Sequence, residues 1–105
     1  MNAPDPLTRR QVVARGLVQG VGFRWFAKEL AESLGLTGWA FNREDGAVET
    51  EVEGTPAAVD EFVRRLRDGN PAARVSAIVT ATVAPRGGNG FEIRQGERWK
   101  RPPTP

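Results

Sequence analysis

The sequence predicts an α+β domain in which two helices cover one face of an antiparallel sheet, with a short extra strand near the C-terminal end. Two stretches carry apolar residues at helical spacing, and the segments around them have the apolar content and alternation of strands. The predicted element order is therefore β-α-β-β-α-β followed by the extra strand. The length of 105 residues and the hydrophobic fraction of 39% suit one compact domain.

The first part of the chain predicts a strand, a loop and a helix. Arg10–Arg15 is centred on small apolar residues and is predicted to be a mostly buried strand. Glycines at positions 16, 20 and 22 make the loop that follows. A single helical stripe comes next, formed by Phe23, Phe26, Ala27, Leu30 and Leu34. Gly35 is placed to end this helix with a positive φ angle.

A hairpin is predicted next. Thr37–Arg43 and Ala47–Glu53 are predicted strands, and residues 44–46 make the tight turn between them. The second of these strands alternates cleanly, so one of its faces is apolar. The opposite face, predicted to be the outer one, carries Glu49, Glu51 and Glu53.

The rest of the chain predicts a second helix and two strands. Thr55 and Pro56 are typical of a helix start, as the N-cap and the first helical residue. The apolar stripe of this helix consists of Val59, Phe62, Val63 and Leu66. Arg74–Val83 alternates as a long fourth strand, and Phe91–Arg94 is a short final strand.

This order is the split βαβ arrangement of ferredoxin-like domains. Residues 10–94 are predicted to form the domain, and residues 1–9 are predicted to be a flexible N-terminal tail. Residues 95–105 are rich in proline and cations and are predicted to be a flexible C-terminal tail. Alternatively, Trp99–Arg101 within this tail is a docking segment.

The composition excludes several classes of enzyme. The chain has no cysteine, no histidine and no tyrosine. This excludes thiol nucleophiles, serine–histidine triads, imidazole bases and zinc sites built from cysteine or histidine. Carboxylates, arginine, lysine, amides, hydroxyls and backbone N–H groups are left to carry any chemistry.

Charge and hydropathy predict a soluble cytoplasmic protein. The net charge of +2 is too small to argue for a nucleic-acid partner. No apolar run approaches the roughly 18–20 residues of a membrane span, and the first residues lack the pattern of a signal peptide. Nothing in the stripes demands a partner chain, so a monomer is expected.

The glycine-rich loop is a candidate anion site. Because it lies directly before a helix, its N–H groups and the positive end of the helix dipole can converge on a phosphate-sized anion. The spacing fits neither a Walker A loop nor a dinucleotide-binding loop. A tight turn without a ligand is the alternative.

Arg24 and Asn42 are the side chains best placed to act with this loop. A cation in the first turn of a helix is unfavourable unless an anion neutralises it, so Arg24 is a candidate phosphate ligand. The alternative is a solvated arginine paired with Glu29 or an acidic loop residue. A right-handed crossover brings the end of the second strand to the same sheet edge, where Asn42 could orient a water molecule. The alternative is an asparagine that shapes the hairpin.

These residues resemble a known family. The run Gly16–Arg24 is similar to the phosphate-loop motif of acylphosphatases. Their second motif is similar to Gly38–Asn42 followed by Gly46, Val48 and Gly54. Phe91–Arg94 resembles their final strand. The resemblance covers about residues 10 to 94.

The resemblance implies an enzyme that hydrolyses the carboxyl–phosphate bond of small acyl phosphates to a carboxylate and inorganic phosphate. It implies that Arg24 is catalytic and binds the phosphoryl group, and that Asn42 is catalytic and orients the attacking water. The phosphate-binding loop that it implies consists of Gln19, Gly20, Val21, Gly22 and Phe23. It also implies that the reaction needs no metal and no organic cofactor.

The chain departs from the family pattern in places. Ala14 stands where a larger aliphatic residue is usual, and Phe41 stands where a basic or long polar side chain is more typical. Phe41 is expected to point away from Asn42, so altered surface or substrate contacts and intact catalysis are predicted. The final strand ends in Gln95 and lacks the usual aromatic residue.

Other functions are possible for the same element order. RNA-recognition domains stack bases on aromatic strand residues, but the first strand here has none, and the predicted outer glutamates would repel phosphate. A metal chaperone would need cysteines. The closer alternative is a carbamoyl-phosphate-handling or phosphate-binding module without significant turnover, as in the hydrogenase maturation factor whose N-terminal part resembles acylphosphatases.

Overall fold

A computed structural model describes residues 6–95 and 101–102 of the chain. The elements follow the predicted order. They are β1 Thr8–Leu17, α1 Phe23–Ser33, β2 Thr37–Asn42, β3 Val48–Gly54, α2 Pro56–Asp68, β4 Arg74–Val83 and β5 Phe91–Arg94. Within the described residues, no helix is long and apolar enough to cross a membrane.

The five strands form one sheet in the order β4-β1-β3-β2-β5. The first four strands are antiparallel to their neighbours, as predicted, but β5 pairs in parallel with β2, so the sheet is mixed. Because β1, β2 and β5 run in the same direction, their C-terminal ends meet at one edge of the sheet. The loop between β1 and α1 begins at this edge.

β1 is longer than the predicted strand Arg10–Arg15. It begins at Thr8 and continues to Leu17, because β3 pairs with residues 8–14 and β4 pairs with residues 9–17. Thr8 and Arg9 therefore belong to the sheet and not to the predicted N-terminal tail. Residues 1–5 of that tail lie outside the described residues.

The core lies between the sheet and the two helices. Gly35 ends α1 with a φ of 71°, as predicted, and the N–H of Leu36 donates to the carbonyl of Ala31 at 2.9 Å, which closes the helix end. Thr55 caps α2 through its side chain, which accepts a hydrogen bond from the N–H of Ala58. The largest apolar side chains of the core include Phe23, Phe62 and Leu66, with Val12, Val48 and Val52 from the sheet.

The part of the other sheet face that lies along β3 is buried under an ionic layer, and the prediction that its glutamates are exposed is wrong. Glu49, Glu51 and Glu53 are 0%, 2% and 4% exposed. Arg9 pairs with Glu51 and Glu53, and its guanidinium lies over the ring of Trp39 at 4.7 Å. Long arginine side chains cover these glutamates because their aliphatic parts exclude water while their charges neutralise the carboxylates.

The carboxylate of Glu53 illustrates how this layer is satisfied. It accepts hydrogen bonds from the backbone N–H groups of Arg86 and Gly87 and from the side chain of Arg9. Burial alone would raise the pKa of Glu53, but these donors outweigh that effect and lower the pKa below its ordinary value. Glu53 is therefore ionised at neutral pH although it is buried.

Candidate active site

The glycine-rich loop has the backbone shape that an anion site requires. Gly20 and Gly22 have φ angles of 78° and 75°, and Gly22 is the N-cap of α1. Within the described part of the chain, the N–H groups of residues 19–23 donate no hydrogen bond of ordinary geometry to a protein group. Several donors at the positive end of α1 are therefore available to a ligand.

The side chain of Gln19 ties this loop to the hairpin turn. Its Nε2 donates to the carbonyl of Arg43 at 2.8 Å and to the carbonyl of Ala47 at 3.0 Å. Sequence reasoning identified Gln19 only through its backbone N–H and missed this bridge, since a glutamine in a glycine-rich loop gives no sign of its distant partner. The bridge fixes the loop relative to the residue that follows Asn42.

Arg24 lies in the first turn of α1 and lines a cleft at the same sheet edge. Its Nη1 donates to the carbonyl of Arg94 in β5 at 3.0 Å. Among the residues that the structure describes, Arg24 has no ion-pair partner, so the predicted alternative of a pair with Glu29 is not formed. Because the carbonyl of Arg94 is neutral, it positions the guanidinium of Arg24 without cancelling its positive charge, which is available to a ligand.

Asn42 ends β2 and lines the same cleft. Its register partner is Val48, a fully buried core residue, so Asn42 lies on the sheet face that carries the helices. Its side chain makes no hydrogen bond to the described residues. The turn is instead held by Asp45, whose Oδ1 accepts from the N–H of Ala47 at 3.1 Å, so the amide of Asn42 is not needed to shape the hairpin.

Phe41 lies on the opposite face from Asn42, as predicted. Its register partner is Glu49 of the ionic layer, and the guanidinium of Arg101 lies 5.5 Å from the centre of its ring. Arg101 also pairs with Glu49 through two hydrogen bonds of 2.8 and 2.6 Å. Both Phe41 and Arg101 line the cleft that contains Arg24 and Asn42.

The part of the predicted C-terminal tail that the structure describes therefore contacts the sheet. Arg101 reaches Glu49, and the carbonyl of Pro102 accepts a hydrogen bond from Arg86 at 3.2 Å. Residues 96–100 and 103–105, which include Trp99 of the predicted docking segment, lie outside the described residues.

The cleft has a volume of about 730 Å³ and a positive lining. Four arginines and two acidic residues line it: Arg24, Arg43, Arg94, Arg101, Glu44 and Asp45. Asp45 accepts from the Ala47 N–H and pairs with Arg15 and Arg43, and these contacts lower its pKa below the ordinary value. An anchored carboxylate with a lowered pKa is a poor general base. The excess of arginines over acidic residues in the lining suits the cleft to binding anions.

The described residues contain no cluster of three metal-ligating side chains. Of the residues that the sequence singled out, Gln19, Arg24 and Asn42 line one cleft. Gly20, Val21, Gly22 and Phe23 are not among the residues that line it; they lie in the loop between Gln19 and α1 and at the first residue of that helix. The structure adds the carbonyl of Arg94, which the sequence did not indicate. An arginine and an amide side chain on one cleft, next to a loop with free backbone donors, can bind a phosphoryl group and position a water molecule.

Comparisons with known proteins agree with this architecture. The acylphosphatase family profile matches residues 10–93. An acylphosphatase from Nitrobacter hamburgensis is 46% identical over 95 residues, which cover 90% of this chain and 94% of the relative. The crystal structure of acylphosphatase from Bacillus subtilis has a TM-score of 0.81 and 35% identity, with 86% of this chain and 100% of that chain covered.

A larger protein contains a similar unit. The structure of full-length HypF in its phosphate- and nucleotide-bound form has a TM-score of 0.83 and 27% identity. The match covers 90% of this chain but 13% of HypF, whereas the bacterial acylphosphatases are matched over almost their whole length. The present chain belongs to the acylphosphatase family and hydrolyses acyl phosphates.

Proposed function

We propose that this protein hydrolyses acyl phosphates without a metal ion, by holding the phosphoryl group between Arg24 and the N–H groups of residues 19–23. Asn42 orients the attacking water. One observation carries the assignment: Arg24 lines the cleft at the free N-terminus of α1, and its described partner is a neutral carbonyl. A guanidinium whose charge is not neutralised there is matched to a phosphoryl group.

The proposed reaction needs positioning more than acid–base chemistry. The bond between phosphorus and the acyl oxygen breaks, and the carboxylate leaves without protonation because it is a weak base. The water oxygen bonds to phosphorus, and its proton goes to an oxygen of the substrate's own phosphate. Arg24 and the backbone donors stabilise the negative charge on the phosphoryl oxygens in the transition state.

The first test compares Arg24→Ala with Lys28→Ala. Both side chains tie α1 to β5 in the same way, since Lys28 Nζ donates to the carbonyl of Phe91 at 3.0 Å and Arg24 donates to that of Arg94. Losing the bond to β5 is expected to cost each variant about 0.5–1.5 kcal/mol of unfolding free energy. Lys28→Ala also loses an exposed ion pair with Glu32, which adds less than about 1 kcal/mol. Only Arg24→Ala also removes a group from the cleft.

The measurement is hydrolysis of benzoyl phosphate in the presence of EDTA, with inorganic phosphate as a competitor. Arg24→Ala is expected to lose about 100-fold or more in kcat/KM and to lose competition by phosphate. Lys28→Ala is expected to keep wild-type turnover, because Lys28 lies outside the cleft. Near-normal activity in a folded Arg24→Ala variant, or turnover abolished by EDTA, would contradict the mechanism.

Asn42→Ala separates water positioning from phosphate binding. Turnover is expected to fall by about 100-fold while the inhibition constant of inorganic phosphate changes little. The side chain makes no hydrogen bond to the described residues, so the unfolding free energy should change by less than about 1 kcal/mol. A large loss of phosphate affinity would instead identify Asn42 as a phosphate ligand.

We also propose that the enzyme acts as a monomer in the cytoplasm on small acyl phosphates, without nucleic-acid or membrane partners. The support is that Gln19, Arg24 and Asn42 of the same chain line one cleft, so the proposed chemistry needs no residue from a second chain. Light scattering at assay concentration tests the monomer, and a dimer mass would overturn it.

A phosphate-binding or carbamoyl-phosphate-handling module is the second candidate, because the fold also occurs within HypF. The benzoyl phosphate assay separates the two. A folded wild-type protein that binds inorganic phosphate without turning over benzoyl phosphate would favour the module.

A further inference from the structure

Arg101 reaches the active-site cleft from the C-terminal segment, far along the chain from the loop. Its Nε and Nη2 donate to the two carboxylate oxygens of Glu49, and its side chain remains 47% exposed. Within the described residues its Nη1 makes no hydrogen bond. One edge of this guanidinium is therefore fixed to the sheet, and the other edge is available to a ligand.

Glu49 cannot cancel the positive charge around it. Besides Arg101, it pairs with Arg43 at 3.4 Å and accepts a hydrogen bond from Gln11. Arg43 in turn pairs with Asp45, which also pairs with Arg15. These five charged side chains comprise three cations and two anions, so one positive charge is left over. The cleft lining, with four arginines and two acidic residues, is also positive.

Phe41 and Arg101 line the cleft from the sheet face that carries Glu49, opposite to the face of Asn42. A cleft of about 730 Å³ is in the size range of sites for whole small molecules, so it has room for the acyl part of a substrate beside the phosphoryl group. The cation of Arg101 lies over the ring of Phe41, 5.5 Å from its centre.

We propose that Arg101, seated on Phe41, forms a subsite for the acyl group and favours acyl phosphates whose acyl part carries its own negative charge, such as a carboxylate or a second phosphate. This inference rests on the placement of the phosphoryl group at Arg24. The charge of Arg101 attracts the distal anion, and its two hydrogen bonds to Glu49 hold the guanidinium in place. The ring of Phe41 lies within cation–π distance of the guanidinium.

The test uses two substrates that differ only in this charge, benzoyl phosphate and 4-carboxybenzoyl phosphate. Their aromatic rings are the same, so contacts with Phe41 cancel in the ratio of their kcat/KM values. Arg101→Gln removes the positive charge. Arg101→Lys keeps the charge but cannot make the paired hydrogen bonds to Glu49. Arg67→Gln is the control. Arg67 is an exposed residue of α2 outside the cleft, so its replacement changes the net charge equally.

The wild-type enzyme is expected to prefer the carboxylated substrate by about three- to tenfold at low salt, mainly through a lower KM. Arg101→Gln should remove this preference, Arg101→Lys should keep part of it, and Arg67→Gln should retain it. Sodium chloride should weaken the wild-type preference because the group is half exposed.

Three results would overturn the inference: no preference in the wild type, a preference that survives in Arg101→Gln, or an equal loss in Arg67→Gln. The same substrates also test the phosphoryl site at Arg24. If that site is wrong, Arg24→Ala would still hydrolyse both substrates. If only the acyl subsite at Arg101 is wrong, hydrolysis of both substrates still depends on Arg24. Thermal unfolding of each variant checks that the loss of preference does not come from unfolding.

Discussion

Replacing Gln19 by leucine removes the bridge between the phosphate loop and the hairpin turn while keeping a side chain of similar volume. Two hydrogen bonds are lost, each with a net value of about 0.5–1.5 kcal/mol. Neither carbonyl is orphaned, because that of Arg43 still accepts from the N–H of Gly46 and that of Ala47 still accepts from the N–H of Arg43. The expected loss of unfolding free energy is therefore about 1–3 kcal/mol.

The assay combines unfolding with kinetics. For a domain of this size, such a loss corresponds to a fall in Tm of roughly 5–20 °C. Because the loop then shifts relative to Asn42, kcat/KM for benzoyl phosphate is expected to fall about tenfold or more at a temperature where the variant is folded. Gln19→Glu, which also places a negative charge in the anion site, should be less active than Gln19→Leu. A Gln19→Leu variant with wild-type Tm and activity would refute the view that this side chain connects the two halves of the site.

Two further predictions concern the sheet. At Gly38, with a φ of 148°, an added Cβ would lie 1.7 Å from the carbonyl oxygen of Glu51, so Gly38→Ala should cost about 3 kcal/mol or more in urea unfolding. Gly46→Ala, at a φ of 92° but in open space, should cost only about 1–2 kcal/mol. Because the folded-state pKa of Glu53 is lowered, its contribution to stability is complete above its ordinary value of 4.5 and is lost as the pH falls through the folded-state pKa. Unfolding free energies between pH 6 and pH 3 should therefore decline less steeply in Glu53→Gln than in the wild type, and identical slopes would argue against the ionised buried carboxylate.

Local patterns were enough to predict the elements and the edge of the sheet that carries the site. The stripe that begins at Phe23 and the glycine at position 35 defined α1 almost to the residue. The right-handed crossover correctly brought Asn42 to the same edge as the glycine-rich loop. These inferences succeeded because each depends on residues that are close in sequence or on a general rule of chain topology.

Features that depend on distant partners were not predictable in the same way. Alternation showed that Glu49, Glu51 and Glu53 share a face, but it does not reveal what covers that face. The cover comes from Arg9 and Arg101, which are about 40 to 50 residues away along the chain. The parallel pairing of β5 was missed for the same reason, since a four-residue strand carries no sign of its direction.

The place of Arg101 bears on where a domain can be attached. The described part of the C-terminal segment ends at Arg101 and Pro102, and Arg101 lines the substrate cleft. A fusion made before Thr8 leaves from the opposite end of β1, roughly 30 Å away along a ten-residue strand. Purification tags and reporter domains therefore belong at the N-terminal end, whereas the C-terminal end is the natural point for attaching a group intended to cover, label or block the cleft.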